Sequence, residues 1–156
     1  TKLLIDSERF AADDATLAAR ISRGSVGKAL VLDIEAFRAA RELMLDVLNS
    51  AIAQPNLAAM LHLSETITDA KNRERFEEYL EILTHLIRDV WTISGGADQS
   101  CLINADLARS LKLLAAKAEF SKLAEWLDEI GRIRETLVVN INRRVAADSL
   151  FVSMAN

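Results

Sequence analysis

Apolar residues recur every three or four positions along almost the whole chain, and alternation of the kind that marks a half-buried strand is hard to find over more than a few residues. That period predicts an all-α protein. Asp13 or Asp14 can cap a short helix through Arg20, and Ser25 a second one through Leu32. From Ile34 the series Phe37, Met44, Val47, Leu48 and Ile52 predicts a long amphipathic helix that stops before Pro55. Asn56 then opens a helix to about Thr68. The next is expected from about Asn72 to Ser94, with Phe76, Tyr79, Leu80, Leu83, Ile87, Val90 and Trp91 on one face, Glu74, Glu77, Glu78, Glu81 and Arg88 on the other, and Gly95 and Gly96 as its stop.

Residues 97–103 read as the longest loop, after which Asn104 is placed to cap one helix and Ser121 another. In the latter, Leu123, Trp126, Leu127, Ile130, Ile133, Leu137 and Ile141 line up, enough for a helix about 30 Å long at ~1.5 Å per residue. Gly131 inside it should cost roughly 1 kcal/mol relative to Ala, and a close helix–helix contact is the usual compensation. Asn142 is placed to cap a closing helix. No repeat of fixed period is present, which disfavours a helical solenoid.

Composition narrows the class. Of 156 residues, 51% are hydrophobic but only 5% aromatic, with one Pro and five Gly, as in an Ala/Leu-rich helical protein. The length suits one well-buried core, or one domain plus a piece of a neighbour. No apolar run approaches the roughly 20 residues that span a bilayer, and the first residues lack the apolar core of a signal peptide, so a cytoplasmic location is expected. Cys101 is the single cysteine, which excludes an internal disulfide. A chain that starts at Thr1 without Met reads as a piece of a longer protein. The net charge of −4 argues against direct nucleic-acid binding by this piece, since such domains usually carry a basic excess.

The candidates for chemistry are few. Residues Arg23 to Lys28 have the look of a phosphate loop, but a P-loop needs Gly where Ser22 stands and Ser or Thr where Ala29 stands. His62 and His85 lack ligand spacing: a bundle di-metal site uses Glu-x-x-His, and three residues before His85 is Ile82, with Glu81 one further back. Both are expected at the surface or half-buried. Cys101 has no adjacent basic partner to lower its pKa, and Glu77 and Glu78 lie on a solvated face. No catalytic residue, cofactor or metal is expected. Arg132, Arg134, Arg143 and Arg144 gather near the last helix junction, either as a patch for an acidic partner or a phosphate backbone, or as a solvated face paired with Glu125, Asp128, Glu129 and Glu135. Trp91 and Trp126 read most simply as core anchors, although interfaces also favour Trp.

Several segments carry a resemblance. Leu102, Ile103, Asn104, Asp106 and Leu107, then Arg134 and Leu137, then Asn140, Asn142 and Arg144, resemble the "LIN-x-DL" helix start, the long helix with a central Arg, and the "N-x-N-x-R" junction of bacterial DNA polymerase III clamp-loader subunits, delta-prime above all. Upstream, Gly24, Ser25, Ala29 and Leu30 resemble a "G-S-x-x-x-A-L" helix start in the small helical lid of their AAA+ module, and Arg88 and Asp89 followed by Val90 and Trp91 are similar to their "L-x-x-L-R-D" helix. The resemblance implies a lid remnant over residues 1–33 and a helical collar of five to six helices over residues 34–156. It implies a role in assembling a heteropentameric loader with the gamma/tau and delta subunits, with ATP binding and clamp opening left to AAA+ modules of the parent polymerase complex. Nucleotide-binding members place a sensor Arg in the lid helix at the position of Gly27, which favours a non-hydrolysing subunit. Under this reading Trp126, Arg134, Asn140, Asn142 and Arg144 are the candidate interface residues. The alternatives are a gamma/tau collar and the ligand-binding half of a helical transcription regulator; the latter predicts an apolar pocket with a few convergent polar groups.

Overall fold

The computed structural model describes residues 12–22, 25, 27, 29, 32–137 and 141–156, and among them it holds seven α-helices and no strand, as the 3.6-residue period predicts. Helix α1 (Ala12–Ile21) already includes Asp13 and Asp14, so neither caps it; Ala has the highest helix propensity and carries the helix upstream of them. Where a second helix is expected, Gly27 and Ala29 are helical, and the Ser25 carbonyl accepts from the Ala29 N–H at 3.1 Å. The rest of that segment lies partly outside the described residues, and Leu32 is not helical.

Helix α2 (Ile34–Leu48) is capped by Asp33, whose side chain accepts from the Ala36 N–H at 3.0 Å, and it runs on as a π-turn over Asn49–Ala53. The wider turn closes with the Gln54 N–H on the Asn49 carbonyl at 3.0 Å, just ahead of Pro55, which has no N–H to continue the ladder. Helix α3 (Leu57–Thr68) starts where Asn56 accepts from the Ala59 N–H at 3.0 Å. A single 3-10 turn (Arg73–Arg75) leads into α4 (Phe76–Ser94), so the helix expected from Asn72 opens with a tighter turn. Arg75 is paired with Glu78 at 2.8 Å there, a contact that raises its guanidinium above the ordinary value. Helix α4 stops as its glycines predict: Gly96 has φ 78°, and the Gly96 and Ala97 N–H groups bond back to the Ile93 and Thr92 carbonyls at 2.9 and 3.2 Å, a Schellman closure.

After two 3-10 turns come α5 (Ala108–Ala115), α6 (Phe120–Thr136) and α7 (Arg143–Ala155). Ser121 does not cap α6, which begins at Phe120, two residues earlier than a Ser121 cap would place it, with no side-chain cap; the ring of Phe120 meets Trp91 edge-on at 5.0 Å. Helix α6 ends at Thr136, short of Ile141. Asn142 caps α7 as expected, accepting from the Arg144 and Val145 N–H groups at 3.0 and 3.3 Å.

Helix α4 is the hub, with α2, α5 and α6 packed around it, and α3 and α7 form an adjoining pair. The pair is antiparallel, since Ser64 donates to Asp148 at 2.6 Å while Glu65 meets Arg144 at 3.8 Å. Because α4 is covered from several sides, its burial exceeds the single stripe read from the sequence: Ile82, His85, Leu86 and Asp89 are buried as well, while Trp91 is half-buried. One continuous core runs from Leu17 to Met154. Ala15, Ala18 and Ala29 make a small separate cluster. No helix among the described residues is long and apolar enough to cross a membrane.

Gly131 overturns its expectation. It is exposed on α6, and a Cβ built on it meets nothing within 4 Å, so no neighbouring helix needs the missing side chain. Replacing Gly131 by Ala should therefore stabilise the protein by about 0.5–1 kcal/mol, through helix propensity and a less flexible unfolded chain. That is a rise of roughly 2–4 °C in melting temperature, and a fall in thermal unfolding experiments would show a contact where none is seen.

Candidate functional site

A charge on an apolar helix face must find a partner or it destabilises the fold. Two such charges occur among the described residues. Arg41 sits among Phe37, Ala40, Met44 and Val47 on the buried face of α2, 5% exposed, and Asp89 lies among His85, Leu86 and Val90 on α4, 2% exposed. The segment Leu102 to Asp106 joins them. Asp89 accepts the backbone N–H of Ile103 at 2.9 Å, the backbone N–H of Asn104 at 2.8 Å and the Asn104 side-chain amide at 2.8 Å. The other end of that amide, Oδ1 of Asn104, accepts from Arg41 at 3.3 Å, and Arg41 reaches on to Asp106 with two bonds of 3.0 and 2.6 Å. Its guanidinium also lies 5.7 Å from the centre of the Phe37 ring.

Asn104 therefore does not use its side chain to cap the following turn, as the sequence suggested. The acceptor it would have offered to the backbone is given to Arg41, and its donor goes to Asp89, so one amide satisfies two buried charges at once. The result is a clasp that fastens the loop after α4 onto α2 and α4. Just before it, Asp98 accepts the Ser100 N–H at 2.8 Å, which holds its carboxyl below the usual range. Arg20 of α1 donates to the Leu102 carbonyl and ties the first helix to the same segment.

The candidate interface residues do not gather in one place. Trp126 is 4% exposed and belongs to the core. Arg134 lies on α6 and reaches Glu77 of α4 at 3.7 Å, a loose pair across two helices rather than one along its own helix. Asn140 lies outside the described residues. Asn142 and Arg144 stand together at the start of α7, where Arg144 holds Asp148 at 2.9 Å and Glu65 of α3 at 3.8 Å. With Thr68, Arg73, Ile141 and Arg143 they line an open cleft of about 390 Å³.

Arg73 was absent from the sequence-level arginine cluster because it lies about 70 residues upstream, and only the antiparallel pairing of α3 with α7 brings it there. Arg41 was missed too, although a charge at helical spacing from Phe37, Met44 and Val47 is a legible sign of a buried partner.

The remaining candidates are spread apart. His85 is 4% exposed, against the expectation of a surface or half-buried ring, because α4 is packed on more than one face. His62 is exposed near Glu65, at 3.9 Å. Cys101 is an exposed free thiol. Gly27 lies in a helical turn with open space around its Cα. Among the described residues no three His, Cys, Asp or Glu side chains are grouped closely enough to hold a metal ion.

Comparison with curated proteins finds no match. Comparison with protein families matches residues 35–150 to the family described as DNA polymerase III, delta subunit, C terminal. The matched segment takes in Arg41, Asp89, Asn104 and Asp106 of the clasp and the six helices α2 to α7 nearly whole. With most of its length so matched, the chain belongs to this family of DNA polymerase III delta C-terminal domains, and it is the C-terminal domain of one of the clamp-loader subunits.

Proposed function

We infer that this domain is the collar of a delta-prime-type subunit and that it assembles the loader by helix packing against neighbouring subunits, with no chemistry of its own. The observation that carries this reading is the family match, which spans α2 to α7, all of which contribute to one core. The delta-prime assignment draws on Gly27, which stands where nucleotide-binding subunits of the resemblance carry a sensor Arg. A gamma/tau collar is disfavoured by the same residue and by a family described for the delta subunit, and family membership replaces the transcription-regulator alternative.

Residues 1–33 are assigned to the end of a lid and residues 34–156 to the collar. Contact with neighbours has apolar material to use, since Leu113, Phe120 and Val145 are each more than half exposed (67%, 53% and 62%).

Size exclusion with light scattering tests the reading. The chain is mixed at tens of micromolar with gamma and delta subunits and, in parallel, with gamma and delta-prime subunits. A stable heteromer with the first pair alone is expected. Assembly only with the second pair would make the chain a delta subunit, and assembly with neither would remove the collar role.

A further inference from the structure

The cleft between the end of α3 and the start of α7 brings together three guanidinium groups in a chain whose net charge is −4. They come from two distant places: Arg73 from the 3-10 turn before α4, Arg143 and Arg144 from the first turn of α7. Their positions follow from the fold. Antiparallel pairing sets the α3 terminus, Thr68, beside the α7 start, and Ser64 with Asp148 pins the register at 2.6 Å.

Their charges are not equally engaged. Arg144 is held by Asp148 and Glu65. Arg73 and Arg143 have no carboxylate within ion-pair distance among the described residues. The N–H groups that open α7 are largely taken up by Asn142, so the guanidinium groups, rather than the helix end, make the cleft positive.

We propose that this cleft binds a carboxylate-bearing segment of a neighbouring protein, with Arg73 and Arg143 as the pairing groups and Arg144 as a fixed wall. Guanidinium matches carboxylate in a planar, two-bond geometry, and Thr68 and Asn142 at the rim add neutral hydrogen-bonding groups. A nucleic-acid strand fits less well. Its phosphates repeat every few ångströms and need an extended basic track, whereas Glu65, with its side chain 65% exposed, and Asp148 flank this cleft with negative charge. Only the identity of the neighbour, another member of the loader, rests on the collar reading; the anionic chemistry does not.

The test uses the whole chain and the double variant Arg73→Gln with Arg143→Gln. Arg144 is left intact because it ties α7 to α3. Thermal unfolding should give the same melting temperature for both proteins. A fluorescein-labelled octaglutamate peptide and a twelve-residue oligothymidylate are titrated by anisotropy, and assembly with the loader subunits is titrated in parallel. Octaglutamate should bind the wild type at least tenfold more tightly than the double variant, and assembly should weaken in step. Tighter oligothymidylate binding with the same dependence on Arg73 and Arg143, and none for octaglutamate, would replace the proposal by a nucleic-acid site. Equal peptide binding by both proteins overturns it. If octaglutamate distinguishes the proteins but neither assembles, the cleft stands and the collar reading fails.

Discussion

Replacing Asp89 by Ala should lower the stability of the protein by about 3–5 kcal/mol, the range for breaking a buried charged network by removing one partner. Two effects oppose each other. Deleting the carboxylate removes the cost of keeping a charge at 2% exposure. It also strands the Ile103 and Asn104 backbone N–H groups and the Asn104 amide, each worth about 1–3 kcal/mol when buried without an acceptor. Three stranded donors outweigh one relieved charge. For a domain of this size the loss is roughly 10 °C or more in melting temperature.

Calorimetry on the wild type, Asp89→Ala, Asn104→Ala and the double variant checks it. The double variant should lose clearly less than the sum of the singles, since both break the same bonds. A drop below about 1 kcal/mol for Asp89→Ala would mean that the loop is held by its apolar contacts and not by the clasp.

Replacing Phe151 by Ala should cost a similar amount, about 3–5 kcal/mol, through lost burial plus the cavity left behind. Helix α7 buries Ala146, Ala147, Leu150, Phe151 and Met154, and with two alanines among these five, the fully buried Phe151 ring is its largest anchor. The helix packs chiefly against α3, and less closely against α6, rather than against the hub. Its amides should therefore lose hydrogen-exchange protection before those of α4, the hub. Phe151→Leu should retain about half or more of the stability lost in the Ala variant, as volume-conserving changes do. Unchanged protection in α7 would show that the helix is held chiefly by Arg144, Asp148 and Ser64. Undocking α7 would also carry Arg143 and Arg144 away from Arg73, so this variant should weaken octaglutamate binding without touching any residue of the cleft.

The sequence alone determined what depends on neighbours within about four residues. The helical period, the caps at Asn56 and Asn142, the stop at Gly95 and Gly96, and the end before Pro55 all arise from backbone hydrogen bonds and conformational preferences that act over one turn. The family resemblance was legible for a related reason, since Asp89, Ile103, Asn104 and Asp106, which lie in the resembling segments, build the clasp with Arg41.

What joins them was not legible. Arg41 meets Asn104 across 63 positions and Asp106 across 65, and no local signal says which buried charge will meet which loop. Packing also withdrew functions that local rules had assigned. Asn104 gave its capping side chain to Asp89 and Arg41, His85 was covered because α4 became the hub, and Gly131 was left open to solvent. The cleft of Arg73, Arg143 and Arg144 exists only because α3 and α7 pair antiparallel. Local rules set the helices because each hydrogen bond closes within a turn; the tertiary structure alone decided which polar groups meet, because that is set by the burial of helix faces distant in the chain.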